Sequence, residues 1–278
     1  MSTTGFIVVL IIVANILVSY RGFKSSLFFE QYCFRVDAIF VHKDYKRLVT
    51  SGFLHIDWSH LILNMVSLFM FSGAVTQTLG PLEFLLVYFV SLVGGNLLAL
   101  LIHRNHGDYS AVGASGAVCG VMFASIALNP GMVIGFLLPI PGFLYAIFFV
   151  LYSMYGIRSR RDNIGHEAHL GGALIGMAAA IALRPGVLQY NYITVLLITV
   201  PSVVFIYFIV TRPHLLYVDN FFYKTHRDQY TIDHKYNADR YIAQQEIDRI
   251  LDKIAKRGMK SLNSKERETL KIYSKKVR

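Results

Sequence analysis

The side chains in this sequence that could carry covalent chemistry fall into three short sets. The first is His55, His60 and Asn64. The second is Ser115 within Gly113-Ala114-Ser115-Gly116. The third is His169 within Gly165-His166-Glu167-Ala168-His169-Leu170-Gly171-Gly172, followed by Gly176. A serine hydroxyl becomes a useful nucleophile when a neighbouring base takes its proton, and imidazole suits that task at neutral pH. At a helix N-terminus the serine also lies among unpaired backbone N–H groups and at the positive end of the helix dipole, where an oxyanion is stabilised. His60 and Asn64, four apart, share a helix face. They could donate to such an oxyanion, or they could form an internal hydrogen-bond network. His55 is assigned to the preceding loop. By itself Gly-x-Ser-Gly reads as helix packing sooner than as chemistry, because small residues are how membrane helices touch. Gly116 and Gly120 make one small-residue seam, and His169, Gly172 and Gly176 share a face at the edge of another. If the two seams pack, Ser115 and His169 come within hydrogen-bond reach.

The elements that must position these sets are apolar helices. The chain has 278 residues, 54% hydrophobic and 16% charged, whereas soluble domains carry roughly 25% charge. An all-α polytopic membrane protein is therefore expected. Seven apolar segments approach the ~20 residues that a bilayer core requires: about Gly5–Tyr20, Ser59–Thr78, Leu82–Ile102, Ala114–Leu128, Gly131–Tyr152, Ala168–Leu183 and Tyr192–Val210. The first run starts without a basic leader and is read as a retained span. The segment opened by Ser115 is short, which predicts a central helix shielded by its neighbours. The second, fourth and sixth segments cross the membrane in the same direction. His60, Ser115 and His169 all lie near their N-terminal ends, so they fall on one membrane face and at one depth. That coincidence is what raises the three sets from packing residues to a candidate active site.

The remainder of the chain constrains function by class. Net charge is +10, and residues 211–278 carry 16 Lys/Arg against 9 Asp/Glu. Basic charge beside a membrane span points to the lipid bilayer and not to nucleic acid. Cys33 and Cys119 suggest neither a disulfide framework nor a metal site. His166-Glu167-Ala168-His169 is one residue short of the spacing that turns two histidines towards one zinc. His103, His106 and Asp108 read as a hydrated loop cluster, and no metal or other cofactor is expected. No internal repeat supports a transporter. The aromatic first connection, Arg21 to Trp58, could lie at the membrane interface. Expected domains are a membrane core over 1–185, an additional span over 186–212, a linker over 213–237 and a small helical unit over 238–278. In that last unit a helix over Ala238–Arg257 presents Ile242, Ile247, Ile250, Leu251 and Ile254 on one face. Gly258 stops it, and Asn263 with Glu266 forms the cap of a second helix.

Taken together, Arg47, His55-x4-His60-x3-Asn64, Gly113-Ala-Ser115-Gly116 and Ala168-His169-x2-Gly172-x3-Gly176 resemble the rhomboid intramembrane serine proteases from about Lys46 to Leu183. The resemblance implies a six-helix rhomboid-like bundle, here with a seventh span and a soluble helical hairpin, in a multi-pass protein of a bacterial inner membrane. It implies Ser115 as nucleophile and His169 as general base of a dyad. The oxyanion hole would comprise the Ser115 N–H with the His60 and Asn64 side chains, supported by Gly113, Gly116, Gly172, Gly176, Arg47 and His55. It further implies hydrolysis of membrane protein substrates in or near their spans, without metal or ATP. The competing reading is a silent rhomboid-like protein that binds client transmembrane helices. Three positions depart from the family pattern. Lys46 replaces a tryptophan, Gln77 a glutamate, and Cys119 an aromatic that supports the histidine. Ten Lys/Arg on the active-site side against Arg184 opposite would turn that side towards the cytoplasm, whereas bacterial rhomboids usually open outward.

Overall fold

The computed structural model describes residues 3–135, 139–159, 164–212 and 247–270, the last range without 248, 257 and 268. Helix α1 (Thr3–Lys24) leads into a first connection built from short pieces: α2 (Ser26–Tyr32), β1 (Phe34–Arg35), α3 (Val36–Phe40), α4 (Arg47–Thr50) and a tight turn over Ser51–Phe53. Asp57 then caps α5 (Trp58–Thr78), its carboxylate accepting from the His60 N–H at 2.8 Å, which satisfies one of the orphan donors of the first turn. Pro81 opens α6 (Pro81–Ile102), where its missing N–H costs nothing. Strand β2 (Ser110–Ala111) pairs antiparallel with β1 and feeds α7 (Ser115–Leu128). Two further membrane-length helices are α9 (His166–Leu183) and α10 (Val187–Thr211).

The fifth segment differs from expectation. An apolar helix over Gly131–Tyr152 was anticipated, but β3 (Val133–Ile134) and β4 (Ile140–Pro141) form an antiparallel pair there, and α8 runs only from Gly142 to Ser159. Gly135 takes φ +99°, Pro139 and Pro141 each lack an N–H, and Pro141 keeps Ile140 extended. Hydropathy extends through this stretch, and helical conformation does not. Among the described residues, α1, α5, α6, α8, α9 and α10 are long and apolar enough to cross a membrane, while α7 is shorter. The chain is a multi-pass membrane protein of the all-α class, with two-residue strand pairs in its connections.

At 14 residues, α7 is about 21 Å long, against a hydrocarbon core of roughly 30 Å. It is enclosed, with every residue from Gly116 to Ala127 buried, and it packs on α5, α6 and α9. The tightest contact is with α9. A Cβ on Gly172 would strike the Gly116 carbonyl, and one on Gly176 would strike the Gly120 carbonyl. On α6, a Cβ on Gly95 would meet the Ala168 carbonyl of α9. Backbone therefore lies directly on backbone, the arrangement by which small residues let membrane helices gain dispersion contact.

In the C-terminal part, residues 249–256 are helical, Gly258 takes φ +73°, and Asn263 and Glu266 exchange hydrogen bonds of 2.8 Å each. That is the reciprocal cap expected at the second helix start. Glu266 also receives Lys253 Nζ at 2.8 Å. Ile247 and Ile250 are buried, but Leu251, assigned to the same apolar face, is exposed. The linker over 213–237, Ile242 and the start of the first tail helix lie outside the described residues.

The seam yields a stability prediction. Gly176→Ala gains about 1 kcal/mol of helix propensity but forces a methyl into backbone that cannot rotate away. A net loss of about 1–3 kcal/mol is expected, read as a lower unfolding midpoint in detergent. Gly186→Ala, which meets nothing within 4 Å, is the control and should leave the midpoint unchanged.

Candidate active site

The α7–α9 seam ends where the polar sets begin. Ser115 is the first residue of α7 and His169 lies in the first turn of α9, and His169 Nε2 stands 2.7 Å from Ser115 Oγ. That is hydrogen-bond distance between a hydroxyl and a base. Both residues are half-buried on a cleft of about 890 Å³, which His60, Asn64, Gly113 and Gly116 also line. Gly113 takes φ +131°, a backbone state that glycine enters without the Cβ strain other residues meet. A Cβ placed there would lie 2.9 Å from His60 Cε1, 3.0 Å from His60 Nε2 and 3.5 Å from Ser115 Oγ. The missing side chain therefore leaves a gap bounded by the imidazole of one helix and the hydroxyl of another. Asn64 uses one amide N–H on the His60 carbonyl at 2.9 Å, and a side-chain amide has two N–H groups.

His55 is fully buried in the connection before α5, as expected of a loop residue, but its contacts reach the helix that begins at Ser115. Its Nδ1 is 2.9 Å from Ser19 Oγ, and its Nε2 accepts from the Ala114 N–H at 3.4 Å. Since Ser19 donates its own proton to the Phe53 carbonyl, His55 carries its proton on Nδ1. It thus satisfies the backbone donor next to Ser115 and holds α1 to the start of α7. Its ring meets His60 edge-to-face at 4.9 Å. Burial, then the facing His60, push the His55 imidazole from an ordinary 6.5 down to about 3, against the pull of Asp57.

Arg47 works at a distance from the cleft. Buried to 5% exposure, it donates to the Glu30 carbonyl at 2.8 Å, the Cys33 carbonyl at 2.7 Å and Asp44 Oδ2 at 2.9 Å. Its own carbonyl accepts from Ser51 Oγ, and the Ser51 carbonyl accepts from the Gly113 N–H at 3.0 Å. The first connection is thereby fastened to the segment that presents Ser115. Lys46 extends its ammonium over the Tyr32 ring at 5.8 Å and pairs with Asp44 at 3.4 Å. With Cys119 one turn after Ser115, the aromatic neighbour of His169 comes from α8, where the Phe149 ring lies 6.3 Å away.

Two groupings were not anticipated in this form. His166 and His169 meet edge-to-face at 6.0 Å, and His166 packs against Gly156 of α8. His103 and His106, read from sequence as a hydrated cluster, are buried at 7% and 4% exposure. His103 Nε2 lies 3.1 Å from Glu167 Oε1, and its ring stacks on Tyr109 at 3.6 Å. The sequence marks these residues only as neighbours in a histidine-rich loop, while the carboxylate that His103 meets is 64 positions away.

A polytopic helical protein whose buried central helix presents a serine to a histidine defines the class of membrane-embedded enzymes and their inactive relatives. Comparison with known proteins narrows it. A rhomboid domain model matches residues 42–186, and a model of a family of unknown function, DUF6576, matches residues 230–276. The chain belongs to the rhomboid family. It is 29% identical over 190 residues to RHOMBOID-like protein 12, mitochondrial, of Arabidopsis thaliana, covering 62% of this chain and 56% of that protein. It is 27% identical over 206 residues to rhomboid protease AarA of Providencia stuartii (65% and 73%), and 26% identical over 175 residues to rhomboid protease GluP of Bacillus subtilis (62% and 33%). The chain thus spans little more than half of the plant relative's length. Family membership supports intramembrane protease function in general terms.

The His55 environment gives a pH prediction. Below about 6.5 the unfolded chain protonates His55, while the folded chain resists until about 3. This contribution is therefore fully present above pH 6.5 and is lost as pH falls through that window. It amounts to about 2 kcal/mol between pH 6.5 and 5. The unfolding midpoint in detergent should drop over that interval, and His55→Asn, though less stable at pH 7, should show a shallower drop.

Proposed function

We propose that the chain is an intramembrane serine endopeptidase that cleaves membrane protein substrates in or near their spans. The 2.7 Å contact between His169 Nε2 and Ser115 Oγ carries the reading. Ser115 Oγ attacks the scissile carbonyl carbon while His169 Nε2 takes the hydroxyl proton. The carbonyl oxygen becomes an oxyanion over the first turn of α7, where the Ser115 N–H has no acceptor within its own helix. The His60 imidazole beside Gly113 and the second N–H of the Asn64 amide complete the donor set, as in an oxyanion hole. Collapse of this intermediate breaks the C–N bond, and His169 returns its proton to the departing amine. Water, deprotonated by His169, then hydrolyses the acyl-enzyme and restores Ser115. The balance needs no metal or nucleotide. A substrate helix must expose its carbonyls first, since intact helical hydrogen bonds hide them.

The competing reading, a catalytically silent protein that binds client helices, shares the fold and the relatives. Retention of both a hydroxyl and an imidazole at bonding distance favours the protease. Reconstituted wild-type protein should label covalently with a fluorophosphonate and cleave a single-span substrate. Ser115→Ala and His169→Ala should each abolish cleavage while leaving expression intact. His60→Ala and Asn64→Ala should each cost about 1–4 kcal/mol of transition-state stabilisation. Wild-type protein that neither labels nor cleaves, beside an active rhomboid control, would establish the silent reading instead.

A further inference from the structure

The buried His103–Glu167 pair takes no chemical step in the reaction just described, yet with Tyr109 it borders the same cleft as Ser115 and His169 and touches both halves of the dyad's scaffold. Glu167 sits in the first turn of α9, two residues before His169. At about 100° per residue, the two side chains leave the helix about 200° apart, so Glu167 grips the flank away from Ser115. The N-cap of α9, Gly165, offers the first turn no side-chain hydrogen bond. His103 caps the C-terminus of α6, with its N–H on the Ala99 carbonyl. Its ring lies flat on Tyr109, with 3.6 Å between centroids and 6° between planes. Tyr109 immediately precedes β2, which pairs with β1 and runs on through Gly113 to Ser115. A continuous path therefore runs from the base's helix through Glu167, His103 and Tyr109 to the strand that delivers the nucleophile.

We infer that the Glu167–His103–Tyr109 stack is a positioning strut that sets the distance between His169 and Ser115. This inference rests on the protease reading above. Truncating Glu167 frees the first turn of α9 to rotate about the glycine seam, and a small rotation at that radius takes Nε2 out of line with Oγ. A buried hydrogen-bonded pair adds little net stability but can fix one geometry among several, which is the role assigned here. Other groups around the pair are His106, whose Nδ1 is 3.4 Å from His103 Nδ1, and His166 on the same helix. Asp37 of α3 lies against Gly107 of the same connection.

The test uses full-length protein in vesicles, with rates normalised to the folded, monodisperse fraction. Glu167→Ala should lower kcat about tenfold or more with KM within about twofold, because alignment is lost and substrate binding is not. Glu167→Gln keeps the acceptor and should recover kcat to within about threefold. Tyr109→Phe should match wild type and Tyr109→Ala should resemble Glu167→Ala. If Glu167→Ala merely unfolds more easily while its folded fraction keeps wild-type kcat, or if Glu167→Gln recovers nothing, the strut is overturned. A wild type that neither labels nor cleaves fails the protease reading, and the strut with it.

Discussion

The contact on which the site depends is bare backbone against bare backbone. Gly172 and Gly176 of α9 leave room for the Gly116 and Gly120 carbonyls of α7. Inside a membrane, apolar side chains gain little by leaving lipid for protein, so helices associate through dispersion at close range. Removing the side chains at the contact brings two helix axes nearer than leucine or valine would allow. Two short side chains at the mouth of that contact, a serine and a histidine, can then touch without help from longer residues. With the axes even one methyl further apart, Ser115 and His169 would face each other across a gap.

Around this seam the polar groups act mostly as fasteners. Arg47 gathers two carbonyls and a carboxylate of the first connection. Ser51 passes that order to Gly113, and His55 ties α1 to the residue before Ser115. Each satisfies backbone groups that would otherwise be buried unpaired, at a cost of roughly 1–3 kcal/mol apiece. Irregular backbone beside membrane helices needs its polar groups wrapped in protein or facing a wet cavity. Here the short β1–β2 ladder and these side chains supply the wrapping. The polarity of the first connection is thus a requirement of its position, and it explains why several of its cations do not behave as freely solvated charge.

Local pattern made most of the helices legible, because an apolar run bounded by polar residues has few alternatives in a membrane protein. Ser115 and His169 could be placed on one face by counting alternation, since helix direction follows from span number alone. The fifth span was overextended for a related reason. Hydropathy does not register what Pro139 and Pro141 do to a backbone. His55 was legible as a member of the histidine–asparagine set, but its contacts with Ser19 and Ala114, like the pairing of His103 with Glu167, left no trace in the sequence pattern. The last two of these contacts join residues 59 and 64 positions apart, and periodicity carries no information at that range. The exposed Leu251 in the C-terminal unit is a milder case, in which spacing identified a face but not its width.

The order of the chain has a consequence for its synthesis. Ser115 and His169 are 54 residues apart, and α8 must be made between them. At about 5–20 residues per second, that is an interval of roughly 3 to 10 seconds. Throughout it α7 is complete before the helix that packs on Gly116 and Gly120 exists. The nascent chain therefore carries its hydroxyl through the insertion machinery without a base beside it.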